Sequence, residues 1–262
     1  MKNKKQKILV LSELDKFTSA TIKSSISLAK IVDSEIDFFY VKKPTEVVEK
    51  ESQLSAMRTI NKEYNTTDKK IKKLINGFSE KYNVPINHTF KIGNVKNEIN
   101  TIINQIKPDI IVLGQRKSKL LNFMGDNITQ FVIDKFKGTI LISNLTNSLE
   151  PNNELSFGLF NTTKIDSPLT KNILSTSEIP LKFFNIEESS KELQEHPFLK
   201  NKKTVEYVFS KGDDTIKNIS NYLLKSNINL LFINREEKNT KSTNLALKDV
   251  INKLDCSLIL TI

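Results

Sequence analysis

The stretch from Pro108 to Ile142 constrains the fold more than any other part of the chain. Asp109-Ile-Ile-Val-Leu-Gly114 is a short apolar run that stops at a glycine, as a strand buried on both faces of a parallel sheet does. A polar loop follows over residues 115 to 127. Ile128, Phe131, Val132 and Phe136 then recur at helical spacing before a second apolar run, Thr139-Ile-Leu-Ile142. A strand that feeds a glycine loop at the start of a helix is where α/β proteins commonly bind phosphates. The helix N-terminus presents free N–H groups and the positive end of its dipole.

The preceding residues supply the rest of such a domain. Ile8-Leu-Val-Leu11 reads as the first strand, residues 12 to 19 as turn and helix-capping residues, and Ala20, Ile22, Ile26, Ala29 and Ile31 as one helix. Ile36-Asp-Phe-Phe-Tyr-Val41, ended by Pro44, is the second strand of a right-handed βαβ unit. Residues 46 to 82 are charged and helical, with Val47, Leu54, Met57, Ile60, Ile71, Leu74 and Phe78 as apolar points. They read as a solvated helix, or two helices broken near Asn65-Thr-Thr67, lying over one face of the sheet. Val84 to Ile92 is a third strand, and a helix carrying Ile99, Ile102, Ile103 and Ile106 follows Gly93-Asn94. The result is a five-stranded, doubly wound α/β domain.

On these residues the chain resembles the universal stress protein family. That family's pattern is a glycine at the strand end, a second glycine three positions on, a spacer, then Gly-Ser or Gly-Thr at the helix start, where its nucleotide-binding members hold the phosphates of ATP. Gly114 and Gly125 fit the pattern; Lys117 stands in place of the second glycine, the spacer is shorter, and Asp126 takes the hydroxyl position. The resemblance also implies an adenine contact at the end of the first strand, where Glu13 replaces the family's aspartate, and a backbone contact near Val41. The cofactor-binding set it implies is Glu13, Val41, Gly114, Lys117, Gly125, Asp126 and Asn127, with ATP as the ligand. Asp126 would place a negative charge where a phosphate would sit, and Arg116, Lys117 and Lys119 would offset it.

After a linker-like segment, residues 144 to 154, the pattern starts again. Leu155 to Phe160, Ile179 to Ile186 and Thr204 to Ser210 read as strands, with a short helix near Pro168 to Leu174. At a shift of 120 residues, Ile99, Ile103, Asp109, Ile111, Leu113 and Gly114 match Ile219, Leu223, Asn229, Leu231, Ile233 and Asn234. Beyond a loop two residues shorter, Val132, Ile133 and Ile140 to Ile142 match Val250, Ile251 and Leu258 to Leu260. The expected architecture is two tandem doubly wound parallel-sheet domains, Rossmann-like and adenine nucleotide α-hydrolase-like, over residues 1–146 and 154–262. The resemblance implies that they pack as an intramolecular pseudo-dimer, with Thr139 to Ile142 meeting Leu258 to Ile262. In the second copy Asn234 and Thr243 replace the glycines, and the loop from Arg235 to Ser242 carries the adjacent acids Glu236 and Glu237, which disfavours a triphosphate there.

Composition narrows the function classes. A net charge of +10 invites a nucleic-acid or membrane partner, but the arginines are Arg58, Arg116 and Arg235 alone, and the lysines are interspersed with acids, so neither partner is expected. The one cysteine, Cys256, excludes an internal disulfide and reads as a packed residue; His88 and His196 are too far apart in sequence to point to a metal site. No apolar run is long enough to span a bilayer, and the expected location is the cytoplasm. Nucleophile-elbow, P-loop and dinucleotide fingerprints do not occur, so no enzymatic activity is expected. The expected function is a non-catalytic stress-response role through a ligand or protein partner. The alternative is adenine-nucleotide sensing at the first domain, and a homodimer of the whole chain is compatible with either.

Overall fold

The computed structural model describes residues 5–47, 52–115, 128–161, 165, 167–186, 198–199, 202–235 and 247–262. The strands are β1 (Gln6–Leu11), β2 (Ser34–Lys42), β3 (Ile86–Ile92), β4 (Ile110–Gly114), β5 (Thr139–Ser143), β6 (Phe157–Phe160), β7 (Leu181–Ile186), β8 (Thr204–Phe209), β9 (Leu230–Asn234) and β10 (Ser257–Thr261). The helices are α1 (Thr18–Val32), α2 (Gln53–Tyr82), α3 (Val95–Ile106), α4 (Ile128–Lys135), α5 (Pro168–Ser175), α6 (Thr215–Lys225) and α7 (Leu247–Lys253).

All ten strands form one sheet in the order β3-β2-β1-β4-β5-β10-β9-β6-β7-β8. Every neighbouring pair is parallel except β5 and β10, which meet antiparallel at the centre. Leu141 faces Ile259 there, flanked by Ile140 opposite Leu260 and Ile142 opposite Leu258. Because the repeat equates Ile140 with Leu258 and Ile142 with Leu260, this register is reciprocal, and a local two-fold axis runs through the Leu141–Ile259 pair. The expected meeting of the two end strands is therefore observed. It covers the apolar edges that β5 and β10 would otherwise leave open.

Alternation along the strands divides the core into two layers. Ile8, Val10, Ile110, Val112, Leu141, Ile259, Phe232 and Leu159 point to the side covered by α1, α2 and α5. Leu9, Leu11, Ile111, Leu113, Ile140, Ile142, Leu258 and Leu260 point to the side covered by α3, α4, α6 and α7. Each layer runs without interruption through both halves.

One open alternative is decided and one expectation changes. Residues 53 to 82 are one helix, unbroken at Asn65-Thr-Thr67, because the two threonine hydroxyls are satisfied within it: Thr66 Oγ1 donates to the Lys62 carbonyl at 2.8 Å and Thr67 Oγ1 to Glu63 Oε1 at 2.9 Å. It seats on the sheet from Glu63 and Tyr64 onward, most deeply through Ile71 and Ile75, whereas Leu54 and Met57 are 76% and 63% exposed. The linker-like segment is not a solvated tether either. Asn144, Leu149 and Leu155 are buried, the Leu149 N–H donates to Ser24 Oγ at 3.1 Å, and Lys23 bonds Glu150 at 2.8 Å, fastening the crossing to α1.

Candidate ligand-binding crevice

In each half the strand order reverses direction beside the first strand, and open α/β sheets bind ligands outside the carboxyl ends of the strands at such a switch point. In the first half it lies between β1 and β4, with β2 alongside: Leu11 sits opposite both Leu113 and Phe39. Glu13, two residues past β1, Val41 near the end of β2, and Gly114 at the end of β4 therefore share one edge of the sheet. Glu13 is exposed and Val41 is buried. Lys117, Gly125, Asp126 and Asn127 lie outside the described residues, as do Arg116, Lys119, Thr243, Glu236, Glu237 and His196.

The loop from β1 to α1 is built by local bonds. The Ser12 N–H donates to the Phe39 carbonyl at 3.2 Å, tying β1 to β2 beyond the last ladder pair, and Asp15 Oδ1 accepts the Phe17 N–H at 2.9 Å. Leu14 takes a left-handed backbone (φ 54°), an uncommon and costly choice for a leucine, and packs its side chain against the core. The expected serine or threonine cap of α1 is not used: Phe17 stands at the N-cap without a side-chain bond, and Thr18 Oγ1 instead accepts from Ser12 Oγ at 3.0 Å.

Gly114 is closely packed from α1. A Cβ placed on Gly114 would lie 3.2 Å from the Phe17 Cβ and 3.0 Å from Thr21 Oγ1. Thr21 Oγ1 is itself fixed by donating to the Phe17 carbonyl at 2.9 Å. Gly114 has no left-handed backbone, so its lack of a side chain serves close packing under α1 rather than a turn. The next residue is equally committed. The Gln115 N–H donates to the Ser143 carbonyl at 2.7 Å, and its side chain is buried, with Nε2 donating to the Ile251 and Leu254 carbonyls at 2.5 and 2.9 Å. A phosphate approaching the end of β4 finds that first loop amide already bonded.

Charged groups near this edge are paired. Lys42, at the end of β2, bonds Glu63 of α2 at 2.6 Å, and this bond, aided by Thr67, holds the Glu63 carboxyl below its usual range. One turn on, Asp68 bonds His88 of β3 at 2.9 Å and Lys72 at 3.2 Å, and the His88 bond likewise lowers the Asp68 carboxyl. A carboxyl whose folded pKa is depressed contributes stability that is fully present above its ordinary pKa and is lost as pH falls through the depressed value. The attachment of α2 to β2 and β3 should therefore weaken only below the ordinary values, 4.5 for Glu63 and 3.8 for Asp68. Acid titration of the helical circular dichroism should show this, with a shallower acid transition in Glu63→Gln/Asp68→Asn; identical titrations would exclude the clamp.

Phe17, Thr21 and Gln115 were not singled out by sequence. Phe17 falls in the stretch read as turn and helix-capping residues, and Gln115 reads as loop. The signal available for Gln115 was its match with Arg235 at the repeat distance, two long donors directly after a buried strand. Cys256 is buried as expected, and burial pushes its thiol well above the usual range, which leaves it unreactive. Among the described residues there is no cluster of three or more potential metal ligands, and no helix is long and apolar enough to cross a membrane.

No family profile and no curated protein matches the chain at the level of sequence. Solved structures do. A universal stress protein from Archaeoglobus fulgidus DSM 4304 superimposes with a TM-score of 0.70 at 13% identity, covering 97% of this chain and 95% of that one. The chain has the universal stress protein fold, twice over. A Pseudomonas aeruginosa UCBPP-PA14 protein classed with the universal stress proteins aligns over 98% of this chain and 92% of its own, with a TM-score of 0.56 and 11% identity. At such identities the universal stress protein likeness concerns the fold, and the crevice chemistry rests on this chain's own residues.

Proposed function

We propose that the chain is a non-catalytic, cytoplasmic universal stress protein, built of repeat units 1–146 and 154–262, that acts in the stress response through a protein partner. The observation that carries this reading is Phe17 and Thr21 packed onto Gly114 at the switch point. The glycine that would admit a phosphate-bearing ligand instead admits the chain's own side chains. A second reading is adenine-nucleotide sensing by the first half. It is favoured by the placement of Glu13, Val41 and Gly114 on adjacent strand ends, and it would use Lys117, Gly125, Asp126 and Asn127 as well.

Thermal unfolding with and without millimolar Mg-ATP separates the two. A ligand at about 100 times its dissociation constant stabilises the native state by about 2.7 kcal/mol, a shift readily seen in a melting curve. The expected result is no shift in the unaltered protein. A clear shift in the unaltered protein would replace the partner reading with nucleotide sensing.

A further inference from the structure

A helix leaves its last carbonyls without intrahelical partners, and in this chain the last helix of each half is finished by the other half. Gln115, directly after β4, sends Nε2 to the Ile251 and Leu254 carbonyls at the C-terminal end of α7, at 2.5 and 2.9 Å. Arg235, directly after β9, sends Nη1 to the Ile133 and Phe136 carbonyls at the C-terminal end of α4, at 3.2 and 3.1 Å, and Nη2 to the Gly138 carbonyl. In the repeat, Gln115 matches Arg235 and Ile133 matches Ile251, so the two sets of bonds are images of each other across the Leu141–Ile259 axis. Their backbones agree too: the Gln115 N–H donates to the Ser143 carbonyl at 2.7 Å, and the Arg235 N–H to the Thr261 carbonyl at 2.9 Å.

The two residues differ where chemistry requires it. Gln115 is buried at 3% exposure, and a neutral amide there avoids the cost of an enclosed charge; its Oε1 accepts from Asn144 Nδ2 at 2.5 Å, so both ends of the amide are used. Arg235 is only partly buried, reaches three carbonyls rather than two, and its positive charge suits the negative end of the α4 dipole.

We propose that Gln115 and Arg235 form a reciprocal latch, in which a change at the carboxyl end of β4 loosens the end of α7 and a change at the end of β9 loosens the end of α4. A partner or ligand that displaces either strand-end residue is thereby felt in the half it does not touch. The latch is a property of the fold and does not depend on which functional reading holds.

Hydrogen exchange on the full chain tests it, because each helix end carries its own reporter: the Leu254 N–H, bonded to the Val250 carbonyl at 3.1 Å, and the Phe136 N–H, bonded to the Val132 carbonyl at 2.8 Å. Gln115→Ala should speed exchange at Leu254 by roughly fivefold to tenfold while sparing Phe136, and Arg235→Ala should do the reverse. Arg235→Gln, carrying the amide its counterpart uses, should recover part of the protection at Phe136. Arg235→Met, of similar length but without a donor, should not, and both variants keep the packing if alanine proves too disruptive. Faster exchange confined to the half that carries the substitution, an equal rise along the whole chain, or equal protection in Arg235→Gln and Arg235→Met would overturn the latch.

Discussion

Replacing Leu141 by alanine is expected to cost about 2–5 kcal/mol and to lower the stability of both halves together. Leu141 is fully buried at the middle of β5, opposite an equally buried Ile259. It belongs to the layer that also holds Ile22 and Ile26 of α1 and Leu169 and Ile173 of α5, so a cavity there is bordered by side chains from both repeats. Interiors are too closely packed to close such a void fully, and the neighbours lose dispersion contacts on both sides of the seam. Denaturant unfolding followed by circular dichroism, with exchange protection read separately for each half, is the measurement. Loss of protection in the first half alone would mean that the seam is not energetically shared.

Gly114→Val is the second large effect. The first carbon of the new side chain would already stand 3.0 Å from Thr21 Oγ1 and 3.2 Å from the Phe17 Cβ, and the two branches of valine crowd the same wall. Overpacking of this kind costs about 1–3 kcal/mol. Phe17→Ala would keep the Cβ that the valine meets, whereas Thr21→Ala removes the nearer atom, Oγ1 at 3.0 Å, and in the same chain should recover part of the loss. A double-mutant cycle on melting temperature would then show a coupling of about 0.5–3 kcal/mol. Additive losses would place the clash elsewhere. The cycle also guards against a misreading: a Gly114→Val variant that fails to respond to nucleotide would show only that the variant is strained.

The packing at Gly114 and the proposed latch lie side by side at the end of β4. Gln115 stands between them, its amide N–H bonded to β5 and its side chain to the opposite half. The exposed N-terminal part of α2, with Leu54 and Met57 outside the core, is the complementary case: the chain forms helix there by propensity and capping, since Ser52 Oγ accepts the Ser55 N–H at 3.4 Å, without a sheet face to cover.

The pairing of the two end strands was implied by the family resemblance, while the sequence by itself determined the local elements and the repeat. Those follow from periodicity, because runs such as Ile110 to Leu113 and Leu230 to Ile233 have no soluble home except a sheet covered on both faces, and a repeated set of such runs implies a repeated unit. What only the tertiary structure decided were contacts between residues far apart in the chain: Phe17 against Gly114, Gln115 against the end of α7, Arg235 against the end of α4, and Leu149 against Ser24. None of these has a local pattern. A glycine kept for close packing reads the same as one kept for a turn, and a polar residue in a loop reads as solvated until the carbonyls it satisfies are brought to it. The physical reason is that hydrophobic periodicity is written into neighbouring residues, whereas the partners of buried polar groups are chosen by the folded arrangement, which must bond each of them or lose the stability that burial provides.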